Sequence, residues 1–231
     1  MIQTEFRMIK TGNEIQFPER LVLYHGSRGG IDGDIAPVSR NRCDFGKGFY
    51  MGTNIDQAKS LVSNDPDPVF YTLRLHMENI PRENIIELSD MEWAFFVLYN
   101  RRKLEDIRGS VLYENCRRVG EGKDLIIGPI ADDAMNESMS RFLNGDITDK
   151  VFLESIRAID YGIQYVAKTE RACGCVEIRS ERALEGRELS EATALSEERR
   201  REGHRVADEI QHRFRREGRY FDEIIQDFRK D

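Results

Sequence analysis

"CDFGKGFYMGTNIDQAKS", residues 43–60, runs a turn, a strand and the start of a helix together in one short segment. Gly46 and Gly48 flank Lys47 and allow a tight turn. Phe49-Tyr50-Met51 is aromatic and apolar, as a half-buried strand is. Thr53 or Asn54 then caps a helix whose Ile55, Ala58, Leu61 and Val62 share one face.

The triplet Asp44-Phe45-Gly46 matches a protein-kinase metal-binding motif, but its context does not. No GxGxxG loop precedes it, no VAIK-type lysine stands on a strand, and no HRD-like loop lies upstream. No P-loop GK[ST] is present, and no GxGxxG follows a strand, so Rossmann-type nucleotide binding is excluded as well.

On the N-terminal side, Pro18 leads into "LVLYHGS" (21–27), a short apolar strand carrying His25 near its end. The long loop "RGGIDGDIAPVSRNRCD" (28–44) joins the two segments. On the C-terminal side, "VFYTLRLHM" alternates as a strand. "SDMEWAFFVLYNRR" predicts a buried helix with Ser89 and Glu92 at capping-box spacing. "DLIIGPI" and "IQYVAKT" predict strands and "VEIR" a further one, while "DAMNESMSRFL" and "TDKVFLESIRAID" predict helices, the second capped by Thr148. Beyond about Glu185 both charge signs crowd together, yet Ile210, Phe214, Phe221, Ile224 and Phe228 recur at spacings of four and three. That pattern predicts one amphipathic helix, or two broken near Gly218.

The 231 residues, 39% hydrophobic and 33% charged with a net charge of −7, describe a globular chain with a sizeable core and disfavour broad nonspecific nucleic-acid binding. The tail arginines are interleaved with acids, as on a solvated helix face. No long apolar run or signal-peptide core is visible, so no membrane partner and a cytoplasmic location are expected. The four cysteines (43, 116, 173, 175) show neither a disulfide framework nor a metal spacing, so they read as small buried hydrophobes and no metal is expected.

Three signals remain in fixed order: Tyr24-His25-Gly26-Ser27, then Gly46-Lys47-Gly48-Phe49-Tyr50, then Gln164-Tyr165-Val166. Together, "LYHGS…DFGKGFYMGTN…QAKS…QYVAKTE" resembles the diphtheria-toxin-like ADP-ribosyltransferases, which include the poly(ADP-ribose) polymerases. More closely it resembles a bacterial family of unknown function assigned to that superfamily. The likeness covers roughly residues 20–183. It implies NAD as the substrate, with Gly26 holding the nicotinamide carboxamide through its backbone, His25 bonding a ribose hydroxyl and Tyr50 laying its ring on nicotinamide. Ser27, Gly46, Lys47, Gly48 and Phe49 complete the implied cofactor-binding set, Lys47 facing either the pyrophosphate or water.

At the third position, active relatives carry a glutamate that supports the oxocarbenium-like transition state. Here the match is Gln164, which bonds a ribose hydroxyl but carries no charge. Losing such a charge costs about 3 kcal/mol, roughly a hundredfold in rate. Asp132, Asp133 and Glu170 are the candidate acceptor or ribose contacts. Their alternative readings are a helix N-cap for the aspartates and a first-turn helix carboxylate for Glu170. Asp44 reads as a loop anchor.

The expected fold is therefore α+β: an ADP-ribosyltransferase-like split antiparallel β-sandwich with surrounding helices over residues 1–184, and a charged helical appendage over 185–231. The expected activity is cleavage of NAD at the nicotinamide bond and transfer of ADP-ribose to a macromolecular acceptor, protein or nucleic acid. The resemblance also implies a small antitoxin-like protein partner, for which the amphipathic tail is a candidate docking surface. An NAD glycohydrolase and a catalytically silent NAD-binding module are the rival readings.

Overall fold

A computed structural model of the chain describes residues 10–11, 16–131, 133–158 and 161–228. The strands are β1 (Lys10–Thr11), β2 (Arg20–Arg28), β3 (Phe49–Gly52), β4 (Pro68–His76), β5 (Ile85–Glu87), β6 (Leu125–Pro129), β7 (Ile163–Ala167) and β8 (Val176–Ala183). The helices are α1 (Ile55–Ser60), α2 (Asp90–Asn100), α3 (Val111–Val119), α4 (Asp133–Leu143), α5 (Asp149–Arg157), α6 (Glu170–Cys173), α7 (Gly186–Phe214) and α8 (Phe221–Phe228).

The class is α+β, but the strands join in one eight-stranded sheet of order β1-β5-β6-β7-β3-β2-β4-β8. The expected pair of antiparallel sheets is corrected in two respects. First, β5 and β6 pair in parallel, because α2 and α3 form the crossover that a parallel connection requires. Second, hydrogen bonding is continuous across the middle, although β2 and β3 are registered at a single pair, Tyr24 with Gly52. On its other side β2 pairs with β4 along its whole length, from Arg20 with His76 to Arg28 with Pro68. The seam between β2 and β3 is thus the narrowest junction in the sheet.

Strand alternation sorts the core into two faces. Ile86, Ile126 and Val166 join the helices α2–α5 and α8 in one cluster around Trp93, Phe142 and Phe152. Ile85, Leu125 and Ile127 turn the other way and join Leu23, Met51, Leu73 and Leu75 from β2, β3 and β4. Strands β4 and β5 stand five places apart in the order, about 24 Å in a flat sheet. The connection between them contains two 3-10 turns of three residues each, Met77–Asn79 and Arg82–Asn84. At the short rise of such turns it reaches only roughly 20 Å, so the sheet curls around this second face.

Local signals explain most of the helices. Asn54 caps α1, its Oδ1 accepting from the N–H groups of Asp56 and Gln57 at 3.0 and 3.2 Å. Thr148 caps α5 through Val151 N–H. The capping box expected at Ser89 does not form, because Asp90 enters α2 with φ of 52° and Ser89 makes no side-chain cap bond. Glu92 is buried, and Asp90 holds Arg157 at 2.6 Å.

The C-terminal segment breaks into α7 and α8 around Gly218, whose φ is 84°. Arg219 N–H donates to Asp149 Oδ1 at 2.7 Å, fixing that break on the start of α5. Phe221 and Ile225 enter the core cluster, and Ile210, Phe214, Ile224 and Phe228 pack against it. The apolar stripe proposed as a docking surface for a partner is therefore covered by the chain itself. Among the described residues, no helix is long and apolar enough to cross a membrane.

Candidate functional site

The seam between β2 and β3 carries the first two sequence signals. Beyond the Tyr24–Gly52 pair, the His25 imidazole links the strands, with Nδ1 2.7 Å from the carbonyl oxygen of Tyr50. A carbonyl can only accept, so Nδ1 bears the hydrogen of this bond. The ring lies 4.7 Å from Phe49 and 6.1 Å from Tyr71, between centroids. Burial lowers its pKa from the usual histidine value, against the raising effect of the bond to Tyr50.

A buried histidine kept neutral makes stability depend on pH. The unfolded chain takes up a proton near pH 6.5, where the folded chain does not. Stability is therefore complete above about pH 6.5 and declines as pH falls toward the depressed folded pKa. Urea midpoints of the wild type should drop more than those of His25→Gln between about pH 7 and about pH 5; parallel curves would contradict this.

Gly26 points to the opposite face. A Cβ placed on it would lie 2.3 Å from the carbonyl oxygen of Ala58 and 2.9 Å from Val62. Helix α1 thus occupies the space that the absent side chain leaves. Ser27 donates to Gly30 O at 2.7 Å and closes the turn after β2. Gly48 is small for a similar reason to Gly26, since a Cβ there would meet Val166 at 2.5 Å. Lys47 is exposed.

Tyr50 and Gln164 lie together on the other face of β3 and β7, across the ladder from one another's neighbours: Tyr50 pairs with Val166, and Gly52 with Gln164. The Tyr50 hydroxyl accepts from Phe45 N–H at 2.9 Å and donates to Gly46 O at 2.7 Å, so it pins the loop of residues 45–46. Gly46 has φ of 73°, the left-handed conformation that glycine takes without strain. Burial, foremost, raises the Tyr50 pKa, so the phenol stays protonated.

Gln164 is 5% exposed. Its Nε2 donates to Pro129 O at 2.8 Å and lies 3.3 Å from Asp44 Oδ2. The Trp93 indole N–H donates to the same Pro129 oxygen at 2.9 Å. Asp44 is held by Arg101, whose Nε reaches Oδ1 at 2.9 Å and whose Nη2 bonds the same oxygen. Lys168, just past β7, donates through Nζ to Phe45 O, and burial pushes its pKa down to about 8.

The structure therefore gathers Asp44, Tyr50, Arg101, Gln164 and Lys168 about the 43–48 loop, while His25 stands across the seam and meets them through the Tyr50 backbone. Glu170 lies in the first turn of α6, exposed and past the far end of β7 from Gln164, roughly 15–20 Å along the chain. Asp133 is the first residue of α4, and Asp132 lies outside the described residues. Arg101 and Lys168 were not legible as site residues. Arg101 reads as the charged end of a helix, and its partner Asp44 is 57 positions away.

Residues 21–178 match the model of a family described as a protein of unknown function, DUF3990. The chain belongs to the DUF3990 family. No curated protein and no solved structure matches it. The match takes in the β2–β3 seam, the 43–48 loop and β7, so every residue of the Asp44–Tyr50–Gln164 cluster is part of the DUF3990 region. Helices α7 and α8 lie beyond it.

Proposed function

We propose that this DUF3990 protein is an NAD-dependent ADP-ribosyltransferase that cleaves the nicotinamide glycosidic bond and passes ADP-ribose to a macromolecular acceptor. What supports the reading is one observation: His25 and Tyr50, from separate motifs of the resemblance, meet at 2.7 Å across the seam where β2 and β3 part. In the transferase reading NAD enters that seam, His25 orients a ribose hydroxyl, Tyr50 supports nicotinamide and Gln164 bonds the ribose. A negative charge stands beside Gln164 on Asp44, although Arg101 is paired with it. Acceptor and antitoxin-like partner belong to this same proposal.

A specific observation favours the silent-module reading as second. The Gln164 amide is committed to Pro129 O and Asp44, and the Tyr50 hydroxyl to the loop backbone, so both groups must leave existing partners to serve a ligand. Incubating the purified full chain with NAD radiolabelled in its adenylate part, with and without cell lysate, separates the readings. The transferase should label macromolecules and release nicotinamide. Free ADP-ribose alone indicates a glycohydrolase, and NAD bound but intact indicates the silent module.

A further inference from the structure

A cavity of about 250 Å³ opens between α1, α7 and the segment preceding β7, on the side of α1 away from Gly26. Its lining includes Gln57 and Asn64 from α1 and the turn after it, Tyr161, and Ser196, Arg199 and Arg200 from α7. The family match ends at residue 178, so this wall of the cavity is supplied by the tail.

Arg199 is the informative group. Its Nη2 lies 3.6 Å from Asp56 Oδ2, and its Nη1 is buried with no hydrogen-bond partner. Other arginines of α7 reach carboxylates on their own helix: Arg187 meets Glu191 at 2.6 Å and Arg205 meets Glu202 and Glu209 at 2.5 Å. Their side chains are 91% and 56% exposed, whereas Arg199 is drawn inward to 25%. A buried guanidinium N–H without an acceptor is costly, and its presence beside a polar cavity points to an acceptor that occupies the cavity. The lining offers hydroxyl and amide donors around a planar cation, the arrangement that favours phosphate oxygens. The volume falls below the roughly 300–1,000 Å³ of pockets that enclose whole drug-sized ligands, which suits a phosphate-bearing end and not an entire dinucleotide.

We propose that this cavity is a second ligand site, binding a phosphate group through Arg199, and distinct from the seam at His25 and Tyr50. The phosphate is either inorganic or the terminus of a nucleotide, and the two are told apart by the probes. Inorganic phosphate and ADP are titrated separately into the full-length protein, wild type, Arg199→Leu and Gln57→Glu, following heat release by calorimetry. ADP binding without phosphate binding identifies a nucleotide site, and equal binding of phosphate identifies the free ion. In either case affinity should fall about tenfold or more in both variants, since a charge-assisted bond is lost or a carboxylate is set against the ligand. Gln57→Glu alters a half-buried position on the surface of α1 and covers the event that Arg199→Leu fails to fold. Absence of binding by both probes at millimolar concentration, or binding unchanged in the variants, overturns the proposal. NAD turnover at the seam is not needed for either result.

Discussion

Gly26→Ala is expected to destabilise the fold by about 3 kcal/mol, with no ligand present. The added methyl carbon would stand 2.3 Å from the carbonyl oxygen of Ala58 and 2.9 Å from Val62 Cγ2. The carbonyl belongs to helix backbone and cannot rotate aside, so α1 must lift from β2. Ala58 and Val62 share a small core cluster with Phe70 and Leu184, so that movement also disturbs the packing between β4 and the entry to α7. In a chain of this size the melting temperature should fall by about 6–12 °C. The motif resemblance assigns the glycine to close approach of nicotinamide, whereas the structure shows a helix already in close approach on the Cβ side. A variant that melts with the wild type but loses NAD would mean that only the ligand demands glycine.

Gln164→Glu is expected to cost about 2–3 kcal/mol at neutral pH. Both partners of the amide, Pro129 O and the Asp44 carboxylate, are acceptors, so a carboxylate at 164 has nothing to donate. It would also face the charge of Asp44 in a site only 5% exposed. Its pKa in the folded state should therefore rise above the ordinary glutamate value of about 4.3. The sign follows: below about pH 4.3 both states hold the proton, the neutral acid can donate, and the variant lies closest to wild type. The deficit grows as pH rises to the elevated folded pKa and is constant beyond it. Urea denaturation of both proteins across that range checks this. A deficit that does not vary with pH would show that the 164 side chain is not held between two acceptors. The glutamine is thus a residue that its surroundings call for, and simple reversion to glutamate does not restore an unperturbed charge.

What the sequence revealed depended on how locally each feature is encoded. The strand of Tyr24-His25-Gly26-Ser27 is written in its own apolar residues, and the caps at Asn54 and Thr148 are written within the first turn of α1 and α5. The break at Gly218 was legible because a left-handed turn and a charged gap interrupt an apolar stripe. Helix α3 was missed because Leu112, Tyr113 and Cys116 give it a buried side too short to stand out among charges. Strand β5 is three residues long and draws its order from pairing with β1 and β6, which no local pattern reports. The Asp44–Gln164 contact spans 120 positions and depends on the loop being folded back by Tyr50. Gly26 shows the same limit in another form: a glycine announces that something comes close, and only the fold shows that α1 does.

The most direct test of the transferase reading is calorimetric titration of NAD into the purified full chain, paired with release of nicotinamide measured on the same samples. The seam site predicts saturable NAD binding and nicotinamide release in the wild type, both lost in Tyr50→Ala while circular dichroism shows that variant still folded. If NAD neither binds nor is consumed by the wild-type chain, the transferase, glycohydrolase and NAD-binding readings of the seam all fail together.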